Sequence, residues 1–230
     1  MIRAHRIPPY LMEVMPTADK SHTIYIPHLK EQFHSIHGAI QESMHVFIEA
    51  GLRYLAQNKT RLSILEVGMG TGLNVLLSYM NGMDCVIHYV ALEPFPLSEE
   101  IIAQLNYGQI TGYAKVFFCI HASPWNADIA LSDTFYLKKI DAGIEDFKSE
   151  RQFDLVYFDA FSPRVQPQIW TVEVFSKLMG LLTPGGVWVS YCARGSVKRS
   201  LSSVGFQVET LPGAAGKREM IRAVKPIVSE

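Results

Sequence analysis

Four carboxylates close apolar runs in this chain, and three alternating glycines follow the first of them. Glu66 lies in the run 62–67, which leads directly into Gly68, Gly70 and Gly72. Glu93 ends the run 85–92 and stands 23 residues beyond Gly70; Asp141 follows Ile140; Asp159 ends the run 153–159. An apolar run that stops at glycines reads as a buried strand turning tightly into a helix. Glycine is needed in such a turn because a Cβ would block backbone approach to a ligand or force an unfavourable φ. In an open α/β sheet the ligand lies beyond the carboxyl ends of the strands, where the strand order reverses. An acid at the second strand end can accept hydrogen bonds from both hydroxyls of a ribose, and Glu93 is expected to do so. Asp141 is placed to receive the amino group of an adenine, with Glu145 and Asp146 as nearby rivals. Asp159 is the carboxylate expected to face a reacting group, and its plain structural alternative is an N-cap for a following helix.

The spacing excludes two common nucleotide motifs. A dinucleotide fingerprint needs glycine at Leu73 or Val75, and no Gly-Lys-Ser/Thr follows for a phosphate-cradling loop. The pattern acid-x-Gly-x-Gly-x-Gly instead resembles the first motif of S-adenosylmethionine (SAM) methyltransferases. The resemblance implies that Gly68 and Gly70 pass under the methionine part of SAM, that Glu66 lies near its ammonium group, and that Gly72 and Asn74 complete the cofactor set. It also implies that Asp159 faces the sulfonium methyl and the incoming nucleophile.

Several elements must position these residues. The first 20 residues, with Pro8, Pro9 and Pro16, read as irregular, and 23–26 as a short strand. Residues 41–56 carry Met44, Phe47, Ile48, Leu52 and Leu55 at helical spacing. Strands are predicted at 62–67, 85–92, 153–159 and 187–192, and a hairpin over 205–209 and 219–224. The fold class that follows is α/β, a Rossmann-like SAM-methyltransferase sheet, mostly parallel and seven-stranded, with a C-terminal antiparallel hairpin. Residues 1–58 form an N-terminal extension and 59–230 the SAM domain. Tyr25, His34 and Glu42 are candidates for a lid, and the segment 123–136 carries no motif. Tyr157, Phe158, Phe161 and Trp170 read as core ahead of a base-stacking platform, Phe161 being carried as a substrate contact.

Composition narrows the class further. The net charge is −1, but residues 185–230 hold seven Lys/Arg against three Glu, leaving 14 against 19 for the rest. That asymmetry permits a basic face towards nucleic acid and equally a solvated surface. Cys85, Cys119 and Cys192 lack the spacing of zinc sites or disulfides and read as reduced core residues. His28, His34 and His37 lie close together without a metal-binding spacing, so no metal is expected. The N-terminus carries no signal-peptide pattern and no run reaches a membrane span, so the expectation is a soluble, cytoplasmic protein.

Four segments together resemble the methyltransferase domain of the MnmC family, which modifies the wobble uridine of certain tRNAs. They are residues 66–74, Glu93-Pro94-Phe95-Pro96-Leu97, Phe158-Asp159-Ala160-Phe161-Ser162-Pro163 and Gly216-Lys217-Arg218-Glu219-Met220. The second and fourth discriminate most. The resemblance implies methyl transfer from SAM to the primary amine of 5-aminomethyl(-2-thio)uridine in the anticodon stem-loop of tRNA. A single glycine-rich nucleotide motif implies a stand-alone methyltransferase without FAD, unable to process the carboxymethylaminomethyl precursor. Arg164, Arg194, Lys198, Arg199, Lys217 and Arg218 are the candidate phosphate contacts, expected in loops near the strand ends. The alternatives are a small-molecule amine N-methyltransferase, an aminopropyltransferase resembling spermidine synthase, and a non-catalytic SAM-fold protein that binds tRNA or a partner.

Overall fold

The computed structural model describes residues 12–57, 59–82 and 85–227; Pro8 and Pro9 lie outside them. Three short strands, β1 (Glu13–Pro16), β2 (His22–Ile26) and β3 (Glu31–Gln32), form a small antiparallel sheet. The main sheet contains β4 (Arg61–Val67), β5 (Val86–Leu92), β6 (Asp128–Ser132), β7 (Phe135–Ile140), β8 (Phe153–Phe158), β9 (Leu182–Ser190), β10 (Gln207–Pro212) and β11 (Glu219–Val224). Its order is β10-β11-β9-β8-β4-β5-β7-β6. The five strands from β9 to β7 in this order run parallel, whereas β6, β10 and β11 pair antiparallel with their neighbours. From β4 the chain steps out to β5 and β7, then returns to β8 on the other flank of β4. The order therefore reverses between β4 and β8, which is where Gly68 and Asp159 follow their strands.

Alternation along the central strands builds a core on each face. Ile64, Leu155, Tyr157, Val187 and Val189 join the core under the helical segment made of Ala39–Ser43, Met44–Arg53 and Tyr54–Ala56. Leu65, Val67, Val156, Phe158 and Trp188 join the core under the helix Val172–Leu181. Burial on both faces explains why these strands read as continuous apolar runs. Each fully buried side chain of this size contributes roughly 1.5–3 kcal/mol. The first helical segment winds with π-type turns over Met44–Arg53. There Gly51 lets it lie close on the sheet, since a Cβ would sit 3.2 Å from Leu155, Tyr157 and Val189.

Four expectations change. The main sheet has eight strands, because Asp128–Ser132 adds a half-exposed edge strand whose apolar stretch, Ile129-Ala130-Leu131, is only three residues long. Residues 13–16 form β1 where irregular chain was expected. The strand expected at 187–192 begins at Leu182, since Gly185 and Gly186 are held in place by backbone hydrogen bonds to Lys225. Cys119 is half-buried, unlike Cys85 and Cys192. Among the described residues no helix is long and apolar enough to cross a membrane.

Candidate active site

The glycine turn is pinned to three strand ends. Gly68 and Met69 both donate backbone N–H bonds to the Leu92 carbonyl, at 3.0 and 3.1 Å, and Asp159 N–H donates to Val67 at 3.0 Å. Gly68 has φ +91°, and a Cβ there would stand 2.7 Å from the Asp159 carbonyl oxygen. Gly70, at φ +49°, is covered by the Phe33 ring. Glu93 ties this turn to the next loop: its Oε2 accepts from Gly70 N–H and its Oε1 from Phe95 N–H, both at 2.9 Å. Burial raises the Glu93 carboxyl, Asp141 adds to the rise, and the two backbone donors oppose it.

These groups open onto a cleft of about 1140 Å³ lined by Gly68, Gly70, Glu93, Asp159, Phe161 and Lys217, among others. Behind its wall Asn74 bridges two acids: Nδ2 donates to Glu66 Oε1 at 3.0 Å and to Asp159 Oδ2 at 2.8 Å. Burial pushes the Asp159 carboxyl up to about 7; Glu42 adds to the rise, while Asn74 and Lys217 restrain it. A carboxylate in this range can both accept and release a proton near neutral pH. Asp159 caps no helix, because the next helical turn begins at Pro167. Glu66 is fully buried and does not line the cleft. It was expected beside the methionine ammonium; here its Oε1 is held by Asn74, which in turn reaches Asp159 at the cleft. Burial raises the Glu66 carboxyl well above the usual range.

The small sheet and the segment after it roof the cleft. Phe33 packs edge-on against Phe161 at 5.0 Å, and the Glu31 carboxylate accepts from Ser162 at 2.9 Å and Arg164 at 2.8 Å. His34 shares a 2.7 Å hydrogen bond with the Thr71 hydroxyl, while His121 donates to the Thr71 carbonyl at 3.1 Å. Burial holds both imidazoles down to about 4, so they brace the glycine turn as neutral rings. Glu42 accepts from Ser35 N–H at 2.8 Å and from Lys217, whose ammonium rests 4.0 Å from the Tyr191 ring centroid.

The cleft therefore gathers His34, Glu42, Gly68, Gly70, Glu93, Asp159, Phe161 and Lys217. Gly72 and Asn74 stand behind it in supporting positions. Tyr25 does not line it: on β2, where neighbours alternate, Ile24 and Ile26 take the buried face. Asp141, Glu145 and Asp146 are all exposed; Glu145 and Asp146 border the cleft, while Asp141 does not line it but lies close enough to Glu93 to add to the rise of that carboxyl. Tyr157, Phe158 and Trp170 are core. The cations divide. Arg164 pairs with Glu31, Lys198 with Glu219 and Lys217 with Glu42, while Arg194, Arg199 and Arg218 are exposed. Lys198 and Arg199 lie on the helix Gly195–Ser203 and not in a loop. Sequence reasoning missed Phe33, Trp125 and Tyr191, all of which line the cleft. Trp125 falls in the segment that carried no motif, and nothing in its spacing marks it.

Comparison with known proteins fits this geometry. A family described as S-adenosyl-L-methionine-dependent methyltransferase matches residues 116–226. The tRNA 5-methylaminomethyl-2-thiouridine biosynthesis bifunctional protein MnmC of Hydrogenovibrio crunogenus is 30% identical over 176 residues, 70% of this chain and 26% of that protein. The protein of the same name from Cupriavidus necator is 29% identical over 220 residues, 85% of this chain and 32% of that one. The chain thus spans a third or less of the length of these relatives. Among solved structures, MnmC2 from Aquifex aeolicus superposes with a TM-score of 0.75 at 26% identity, over 95% of this chain and 72% of that one. Spermidine synthase from Thermotoga maritima shares the fold, with a TM-score of 0.59 at 13% identity over 94% of this chain and 70% of that one.

Proposed function

We propose that the chain, a SAM-dependent methyltransferase related to the MnmC proteins, methylates the primary amine of 5-aminomethyl(-2-thio)uridine at the wobble position of tRNA. The observation that carries this reading is Asp159, held by Asn74 at the mouth of the glycine-turn cleft with a proton affinity near neutrality. The names of the relatives refer to synthesis of 5-methylaminomethyl-2-thiouridine in tRNA, the nucleoside this methylation would yield from its 2-thiolated substrate, and so supply the substrate class.

The residues present suit SAM. Gly68 and Gly70, both at positive φ, let the turn pack against the Asp159 backbone and the Phe33 ring while its backbone borders the cleft, and Glu93 keeps free lone pairs for a ribose while its carboxylate is fixed by two backbone donors. Glu145 and Asp146 become the proposed acids at the adenine end, ahead of Asp141. When bound, SAM supplies an electrophilic methyl group. The chain must present the amine as a neutral base. Ionised Asp159 accepts a proton from the arriving ammonium, or a hydrogen bond from the neutral amine, and so orients the lone pair. The Phe33–Phe161 roof restricts water at the same point. Arg194, Arg199 and Arg218 face solvent where an anticodon stem-loop would bring its phosphates, and tRNA as substrate makes the cytoplasm the proposed place of action.

The experiment is transfer of radiolabelled methyl from SAM to two tRNA pools, one carrying 5-aminomethyl and one carboxymethylaminomethyl wobble uridine. Label is expected in the first pool only. Label in neither pool, with SAM bound, would reject the tRNA reading in favour of a small-molecule amine or a non-catalytic role. Label in the second would reject specificity for a primary amine.

A further inference from the structure

A cation and an anion stand side by side in the cleft wall; both bear on Asp159 through their charge, yet neither is needed to hold SAM or to receive the amine proton. Glu42 is held by Ser35 N–H through Oε2, which fixes the carboxylate and leaves Oε1 to Lys217. Lys217 lies against the Tyr191 ring, and Tyr191 is itself fixed by donating to the Ala160 carbonyl at 2.9 Å, one residue from Asp159. The turn that delivers Lys217 is specific. Gly216 has φ +82°, and a Cβ there would stand 2.2 Å from the His37 ring. The chain thus turns Lys217 inward and leaves Arg218 with 95% of its side chain exposed. Glu42 is buried while the Lys217 side chain is 35% exposed, so the pair adds little stability and presents its polar atoms to the cleft.

An ammonium has three N–H donors. One meets Glu42 and one faces the Tyr191 ring, which leaves one for an acceptor in the cleft. Oε1 of Glu42 keeps a lone pair for a donor. The wall therefore presents a donor immediately beside an acceptor, close to the reacting amine.

We propose that Lys217 and Glu42 read the pairing edge of the substrate base, Lys217 donating to O4 and Glu42 accepting from N3–H. This inference rests on the wobble-uridine reading above. Uracil offers an acceptor and a donor in that order, with O4 adjacent to the carbon that bears the aminomethyl arm. Cytosine offers the reverse, an amino group against Lys217 and a bare N3 against the carboxylate. The C2 position, where thiolation occurs, is left unread.

The test uses two synthetic anticodon stem-loops, with 5-aminomethyluridine or 5-aminomethylcytidine at the wobble position. kcat/KM for methyl transfer is measured with the full chain, E42Q and K217M, and S-adenosylhomocysteine affinity reports whether each variant keeps its site. The wild type is expected to prefer the uridine by about 100-fold or more, because a mismatched buried donor and acceptor are left unpaired. E42Q is expected to narrow that preference at least about tenfold, since a glutamine amide can donate to a bare N3. K217M is expected to slow the uridine substrate by about tenfold or more with S-adenosylhomocysteine affinity kept. If both variants slow the two substrates equally and leave the preference unchanged, the pair is only part of the roof and the inference fails. A wild type that methylates both substrates equally overturns the edge reading alone, and one that methylates neither overturns the proposed substrate itself.

Discussion

Asp159 owes its proton affinity to the groups around it. Burial and Glu42 push its carboxyl up to about 7, against the pull of Asn74 and Lys217. The ionised form is the one that can receive the amine proton, so kcat/KM should rise with pH through about 7 and level off above it. D159N removes that group and is expected to lower kcat on the order of 10²-fold or more, with S-adenosylhomocysteine affinity within a few-fold of wild type. The linkage has a definite sign. Because the folded-state value lies above the ordinary carboxyl value of 3.8, ionising Asp159 opposes folding, and its stability contribution falls as pH rises from 3.8 through about 7. D159N should therefore melt at or above the wild-type temperature at pH 8 while turning over far more slowly. A variant that melts lower there, or that keeps full turnover, would remove Asp159 from this role.

At the scale of elements, the site depends on the ends of β4, β5 and β8 meeting around one glycine turn. Gly68→Ala places a methyl 2.7 Å from the Asp159 carbonyl oxygen on a backbone with φ +91°. The clash forces the end of β4 away from the end of β8, so SAM binding by calorimetry should weaken at least about tenfold, at a stability loss of roughly 1–3 kcal/mol. Unchanged SAM affinity would show that the turn does not cradle the cofactor. The same strand ends explain what was legible in the sequence. β4, β5 and β8 are buried on both faces, so their apolar runs and terminal acids can be seen without neighbours. β6 is a half-exposed edge with an apolar stretch of only three residues, and β1 is four residues long, so neither announces itself. Asp141 looked suitable by position at the end of β7. Which of Asp141, Glu145 and Asp146 borders the cleft follows the path of the next loop, held by Lys177 donating to the Ile144 and Glu145 carbonyls. That contact comes from a helix more than thirty residues away in sequence, and no local pattern encodes it.

Across the whole molecule, charge sorts into pairs and a rim. The sequence shows the excess of cations after residue 185 but not which of them are spent on partners inside the protein. Arg164, Lys198 and Lys217 are so engaged, and the Arg164–Glu31 pair also fastens the small sheet to the loop after β8. Reversing any of these would disturb the roof or the hairpin as well as the surface field, so they are poor probes of tRNA contact. Arg194, Arg199 and Arg218 are exposed, and the nearest acid to Arg218 is Glu219 at 3.9 Å. Phosphate contacts release counterions, and the dependence of binding on salt counts them at somewhat under one unit of slope each. R194E combined with R218E is therefore expected to flatten the plot of log affinity against log salt by about two units of slope. It should weaken binding of different tRNAs alike, with kcat on saturating tRNA close to wild type. The charge-swapped pair K198E/E219K, which preserves an ion pair on the same face, should leave the slope nearly as it was. If R194E/R218E leaves the slope unchanged, these arginines are solvated surface, and tRNA must approach the cleft from the side of the small sheet.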